Sequence, residues 1–171
     1  MRYPIGPFSL PDHETAAANR LDYVKSIGGL PEEFAAAAME LKERGLLDES
    51  YREGGWTARQ VIHHVADSHT NAYVRHKRTL TEDRPTITPY DETRWAELPD
   101  VMAVPVEVSL EILRGLHLRW AAMLATCSDE QWERTAFHAG SGWTYRLDTL
   151  AAHYSWHGQH HLAHLRIILA R

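Results

Sequence analysis

The stretch Leu147–Leu169, LDTLAAHYSWHGQHHLAHLRIIL, runs for 23 residues without a proline and carries five histidines. At 100° per residue, His153, His157, His160, His161 and His164 fall within an arc of about 100° on one side of a helix. Leu150 and Ile168 point the same way, so histidine occupies positions where a bundle ordinarily places leucine or isoleucine. A neutral imidazole has one lone-pair nitrogen and one N–H, and several such rings in an apolar interior satisfy one another poorly. A divalent cation resolves this by taking the lone pairs and leaving each N–H for an outer acceptor. The stretch therefore reads as a bundle helix whose inward face binds metal.

Working back along the chain, three more long helical stretches appear. Pro31 opens PEEFAAAAMELKER, which Gly45 ends, while an earlier piece over residues 12–26 is separated from it by Gly28-Gly29, so the first helix is expected to be broken or kinked there. Thr57 is the expected N-cap of a second helix, whose Val61, Val65, Ala72 and Leu80 recur on one side until Pro85. Leu110, Leu113, Leu116, Trp120 and Leu124 mark a third helix after Pro105. A small hairpin around Gly140-Ser141-Gly142 is expected to pair Ala136-Phe137 with Trp143-Thr144 ahead of the histidine helix. The whole is an all-α four-helix bundle, with a long crossover loop between the second and third helices. Residues 1–171 read as a single domain, of which 1–11, with prolines at 4, 7 and 11, form an extended arm over a surface.

Composition narrows the function. The chain has 171 residues, 44% hydrophobic and 24% charged, and a formal net charge of −5 without a basic run, which argues against nucleic acid as a partner. No segment approaches the roughly 20 apolar residues of a membrane span, and no secretory signal is visible. Cys127 is the single cysteine, which excludes a thiolate-rich zinc site and an intramolecular disulfide; a cytoplasmic location is expected. The twelve histidines carry the chemistry instead.

Two histidines four residues apart on a helix can aim at one point, and both His157 with His161 and His160 with His164 qualify. Spacing alone leaves that choice open. A third ligand is expected from VIHHVADSHTN in the second helix, where His64 is favoured, His63 points about 100° away, and His69 with His76 remain a competing pair. Three imidazoles with a position left for water suit Zn²⁺ or Ni²⁺ and disfavour Mg²⁺ and Ca²⁺. Asp67, one turn after His64, is the nearest carboxylate in sequence to act as general base, and a supporting or surface role fits it equally well. Tyr90 and Trp95 in the crossover either cover the site or pin the loop, and no catalytic role is assigned to them. Trp56, Trp120, Trp132 and Trp143 read as packing residues, and Cys127 as inert.

The segments YREGGWTARQVIHHVADSHTNAYVRHKRTLTEDRPTITPYDETRWAEL (residues 51–98) and YSWHGQHHLAHL (154–165), with YPIGPF (3–8) and LHLRWAAML in the third helix, resemble the YfiT branch of the DinB-like superfamily. The resemblance covers nearly the whole chain. It implies a four-helix bundle, a homodimer, and one divalent metal per chain held by one histidine of the second helix and two of the fourth, which by motif position are His64, His157 and His161. It also implies a metal-dependent hydrolase acting on a small molecule. Related DinB-like proteins are thiol S-transferases using low-molecular-weight thiols such as bacillithiol, which makes S-transfer the alternative chemistry. A non-catalytic metal-binding dimeric module is the reading from another class.

Overall fold

The computed structural model describes residues 2–171; Met1, the first residue of the expected arm, lies outside them. The elements in order are α1 (His13–Ala18), α2 (Arg20–Glu43), α3 (Ala58–Thr81), β1 (Thr86–Ile87), α4 (Glu92–Trp95), α5 (Asp100–Ala103), α6 (Val106–Ala125), α7 (Asp129–Trp132), β2 (Thr135–His138), β3 (Trp143–Arg146) and α8 (Leu147–Leu169). The four long helices form the bundle. Both α2 and α3 pack on α6 and on α8. Going round the bundle the order is therefore α2, α6, α3, α8, with the consecutive helices α2 and α3 on a diagonal. Short-loop bundles usually make consecutive helices neighbours. The diagonal arrangement makes α3 and α8 adjacent, and so brings the two histidine-bearing stretches face to face.

The first helix differs from expectation. The chain breaks at Asn19, whose side chain donates to the Thr15 carbonyl at 2.7 Å, and α2 then runs unbroken through Gly28, Gly29 and Pro31. Packing on two neighbours overrides the local penalty of glycine and proline, and Gly28 faces α6 closely enough that a Cβ there would lie 3.3 Å from the Ala121 Cβ. The α3 start agrees with expectation: Thr57 caps it in a reciprocal box with Gln60. The hairpin forms as β2–β3, with Ala136 opposite Tyr145 and Phe137 opposite Thr144. The crossover adds β1 in parallel to β2, pairing Thr86 with Phe137, and so the long loop is tied to the hairpin.

Two apolar clusters fill the bundle. One gathers Leu30, Phe34, Leu41, Val61, Ile62, Val65, Leu113, Leu162 and Leu165. The other gathers Ile27, Ala72, Trp120, Trp132, Tyr145, Leu147, Leu150 and Tyr154. Between them, at one level on three helices, lie His69, His117 and the middle of the α8 histidine run. Beyond the hairpin, α8 begins on a buried ion network in which fully buried Asp148 accepts from Arg146 and from Arg20. Among the described residues no helix is long and apolar enough to cross a membrane.

Candidate metal centre

His157 and His161, one turn apart on α8, place their ring centroids 4.5 Å from each other, and His64 on α3 lies 5.4 and 4.8 Å from them. Each ring offers a nitrogen, and the three nitrogens lie within 4.8 Å of one another. Burial pushes His64 down to about 4. Burial first, and then the neighbouring rings, hold His157 and His161 well below the ordinary histidine value. All three rings are thus neutral near pH 7 and keep a lone pair to donate, which is the state that metal ligation requires. With three nitrogen donors and no thiolate, the set fits a borderline divalent ion better than a hard one.

The three rings open onto a cavity of about 470 Å³. Trp56 forms one wall, 4.5 Å from His64 by ring centroid. The chain enters that wall through a tight turn: Gly54 has φ +61°, and a Cβ on Gly55 would lie 2.7 Å from the Arg52 Cγ. The N-terminal arm supplies Arg2 and Tyr3, and α8 adds Trp156, stacked on His160 at 4.6 Å. Glu92 and Thr93 of α4 complete the cavity from the crossover. Arg52 leaves its Nε buried without a hydrogen-bond partner. A larger groove of about 610 Å³ between α2 and α6 is mostly apolar and contains no histidine.

Of the other sequence candidates, His160 and His164 line the same cavity beside the three rings. His63 points elsewhere, with Nδ1 2.8 Å from the Ser109 hydroxyl. His76 is fully buried against Trp120 and donates to the Ala72 carbonyl at 2.8 Å. His69 and His76 form no pair around a common point, since His69 contacts His117 and His157 instead. Asp67 is a correction: it lines a separate cavity with His63, Thr70 and Asp100, where burial and the Asp100 charge raise its carboxyl. The i, i+3 step from His64 carries it around α3 toward α5 and α6, so it does not face the three rings. The carboxylate that does share their cavity is Glu92.

Tyr90 and Trp95 pack on each other in a tilted contact, ring centroids 4.4 Å apart, which pins the loop. Burial pushes Tyr90 up to about 12. Cys127 is half-buried, its thiol raised by burial, which fits an inert role. Trp120 and Trp132 are core residues as expected, whereas Trp56 is part of the site. The arm proves to lie along the histidine face of α8: Phe8 stacks on His153 at 4.5 Å, and Trp156 donates to the Gly6 carbonyl at 3.2 Å. His117 escaped the sequence reading although it lies on the apolar stripe of α6, one turn from both Leu113 and Trp120, where a histidine needs a partner.

Comparison with known proteins adds the relatives. Proteins of Bacillus mycoides strain KBAB4 and Bacillus cereus strain AH820, each named "putative metal-dependent hydrolase", are 45% identical over 172 residues, covering 100% of this chain and 96% of theirs. The solved structure of YfiT from Bacillus subtilis, described as a probable metal-dependent hydrolase with an unusual four-helix bundle topology, superposes with a TM-score of 0.92 at 38% identity, covering 99% of this chain and 96% of that one. The DinB superfamily profile matches residues 29–165. With that match over most of the bundle, and relatives of this identity over its full length, the chain belongs to the DinB superfamily and is similar to its YfiT-like members.

Proposed function

We propose that this protein is a metal-dependent hydrolase of a small molecule, with one Zn²⁺ or Ni²⁺ held by His64, His157 and His161. The observation that carries the reading is the convergence of three neutral imidazoles from two helices at the floor of an open cavity. The names of the Bacillus relatives point the same way. A divalent ion in such a site supplies Lewis acidity and lowers the pKa of a bound water toward about 7. The protein's own contribution is to hold the three rings neutral and to wall the site with Trp56 and Trp156. Glu92 is the carboxylate in a place to take a proton within the cavity. Arg2 and Arg52 give the upper wall positive charge, which favours a substrate carrying an anionic or strongly polar group.

Elemental analysis of protein purified without added metal, followed by hydrolysis assays on small ester, amide and lactone substrates with chelator and with metal restored, tests this. Roughly one equivalent of metal and chelator-sensitive turnover are expected. His161→Ala should lose both, while His138→Ala in the hairpin should keep both. Product that forms only when a small thiol is added would replace hydrolysis by S-transfer. Metal that stabilises the fold without any turnover would reduce the protein to a binding module.

A further inference from the structure

Behind His157 the bundle holds two fully buried histidines that the proposed chemistry does not use. His117 Nδ1 lies 2.6 Å from the Ile27 carbonyl oxygen. A carbonyl only accepts, so Nδ1 carries the proton, and Nε2 of the neutral ring is a lone pair. That lone pair faces His69 Nδ1 at 2.8 Å, so His69 donates from Nδ1 and is bare at Nε2. His69 Nε2 in turn faces His157 Nδ1 at 3.0 Å. Donation from His157 Nδ1 leaves its Nε2 as the lone pair. One acceptor on α2 thus sets the tautomers of three rings on α6, α3 and α8. Burial keeps all three neutral: His117 is pushed down to about 4, and His69 lies well below the ordinary value.

The anchoring carbonyl is free for a reason visible in the sequence. In an α-helix the Ile27 C=O would accept from the N–H of residue 31, and residue 31 is proline, which has none. The proline that sequence alone reads as a helix start is therefore placed mid-helix where it releases the acceptor that His117 uses. A shorter chain of the same sense backs the other α8 ring. The Arg2 carbonyl accepts from His164 Nε2 at 3.1 Å, so His164 Nδ1 is bare and faces His161 Nδ1 at 3.4 Å. His161 likewise keeps its lone pair on Nε2.

We infer that His69 and His117 are positioning residues: a hydrogen-bonded relay from the Ile27 carbonyl, released by Pro31, locks His157 in the Nδ1–H tautomer and aims its Nε2 at the metal. A buried pair kept only to satisfy itself would not need a defined direction, whereas a ligand does, since only the bare nitrogen can coordinate. The inference rests on His157 being a ligand, and the experiments separate the two.

Long-range ¹H–¹⁵N NMR of the metal-free protein should find His117, His69 and His157 all protonated on Nδ1. Competition of Zn²⁺ against a chromophoric chelator should show His117→Leu binding about 10-fold more weakly or worse, in the range for lost outer partners of metal ligands. His117→Gln, whose amide oxygen can accept from His69, should recover most of that loss. His76→Leu, equally buried but outside the relay, should bind within about two-fold of the parent. An Nε2–H tautomer at His157, or equal weakening by His117→Leu, His117→Gln and His76→Leu, overturns the relay. If instead His157→Ala binds Zn²⁺ as the parent does, the ligand assignment itself fails, whatever the tautomers.

Discussion

Acidifying the metal-free protein should unfold it well above the pH at which its carboxylates titrate. Burial holds His64, His76, His117 and His153 each near 4, against an ordinary value of 6.5. Between those values the unfolded chain binds protons that the folded chain refuses, so stability is full above about 6.5 and falls as the pH falls. From about pH 7.5 to about pH 5.5 each ring costs about 1 kcal/mol, and the four together about 4–5 kcal/mol. His69, His157 and His161 add to this in the same direction. Against a usual total of about 5–15 kcal/mol, such a loss takes away a large part of the folding free energy. The carboxylates with lowered values, Asp12, Asp48, Glu82 and Glu107, give up their share only below that window, so the histidines dominate it. Urea unfolding followed by circular dichroism, with chelator present and ionic strength fixed, should show the midpoint falling by about 2 M over the window, taking a slope of about 2 kcal/mol/M. His76→Leu should flatten the dependence by up to about one proton. His76 is the ring to choose because its Nε2 has no partner and it stands outside the metal centre. A midpoint that moves by less than about 0.5 M would refute the reasoning, because the rings would then be titrating as if in water.

Three further outcomes are expected. Asp148→Ala leaves the Arg146 and Arg20 guanidiniums without their buried partner, and thermal unfolding should show a loss of about 3–5 kcal/mol, or roughly 6–20 °C in Tm. Glu92→Gln should leave metal content unchanged and lower kcat by about 100-fold; an unchanged kcat removes Glu92 from the chemistry. Gly158→Ala and Gly29→Ala should move stability in opposite directions. A Cβ at 158 would lie 2.4 Å from the Leu30 Cδ2 and 3.3 Å from the His69 Cε1, an overlap costing about 1–3 kcal/mol, while at 29 nothing lies within 4 Å and the helix gains about 1 kcal/mol. Tm measurements on the pair decide it, and a stabilised Gly158→Ala would contradict the close α2–α8 approach.

What could be read from the sequence followed from periodicity. The α8 arc, the α3 stripe with its Thr57 cap, and the hairpin glycines are local signals, and the structure reproduces them. The first helix misleads because Gly28-Gly29-Leu30-Pro31 has every local mark of a break, while the packing that keeps α2 continuous comes from α6 and α8, far along the chain. The diagonal placement of α2 and α3 leaves no local trace at all. For the site, the helical wheel put five histidines on one face but could not choose between two pairs, and His64 meets His157 and His161 only because α3 and α8 are neighbours. Trp56, Arg2, Arg52 and Glu92 come from segments without a repeat, positioned by the turn, the arm and the crossover, and periodicity is blind to such segments. Asp67 is near His64 in sequence, but its side chain is turned about 60° away on the helix, which sequence proximity ignores.

The histidine layer has a price in folding, and its position shows how the bundle bears it. Apolar residues of similar size at His69 and His117 would bury more favourably, since each ring must be desolvated and matched at both nitrogens. The two apolar clusters lie on either side of the layer, one centred on Phe34, Leu41 and Val65, the other on Trp120, Leu147 and Leu150. Each is continuous across the bundle, so the helices are clamped above and below the polar level, where the ring nitrogens lie 2.6–3.0 Å from their partners. A site built from loops would need the ion to order it. Here the three proposed ligands stand on helices that these clusters hold together, so metal binding should depend on the integrity of both clusters, and a cavity-forming change in either, such as Leu113→Ala or Leu150→Ala, should weaken the metal as well as the fold.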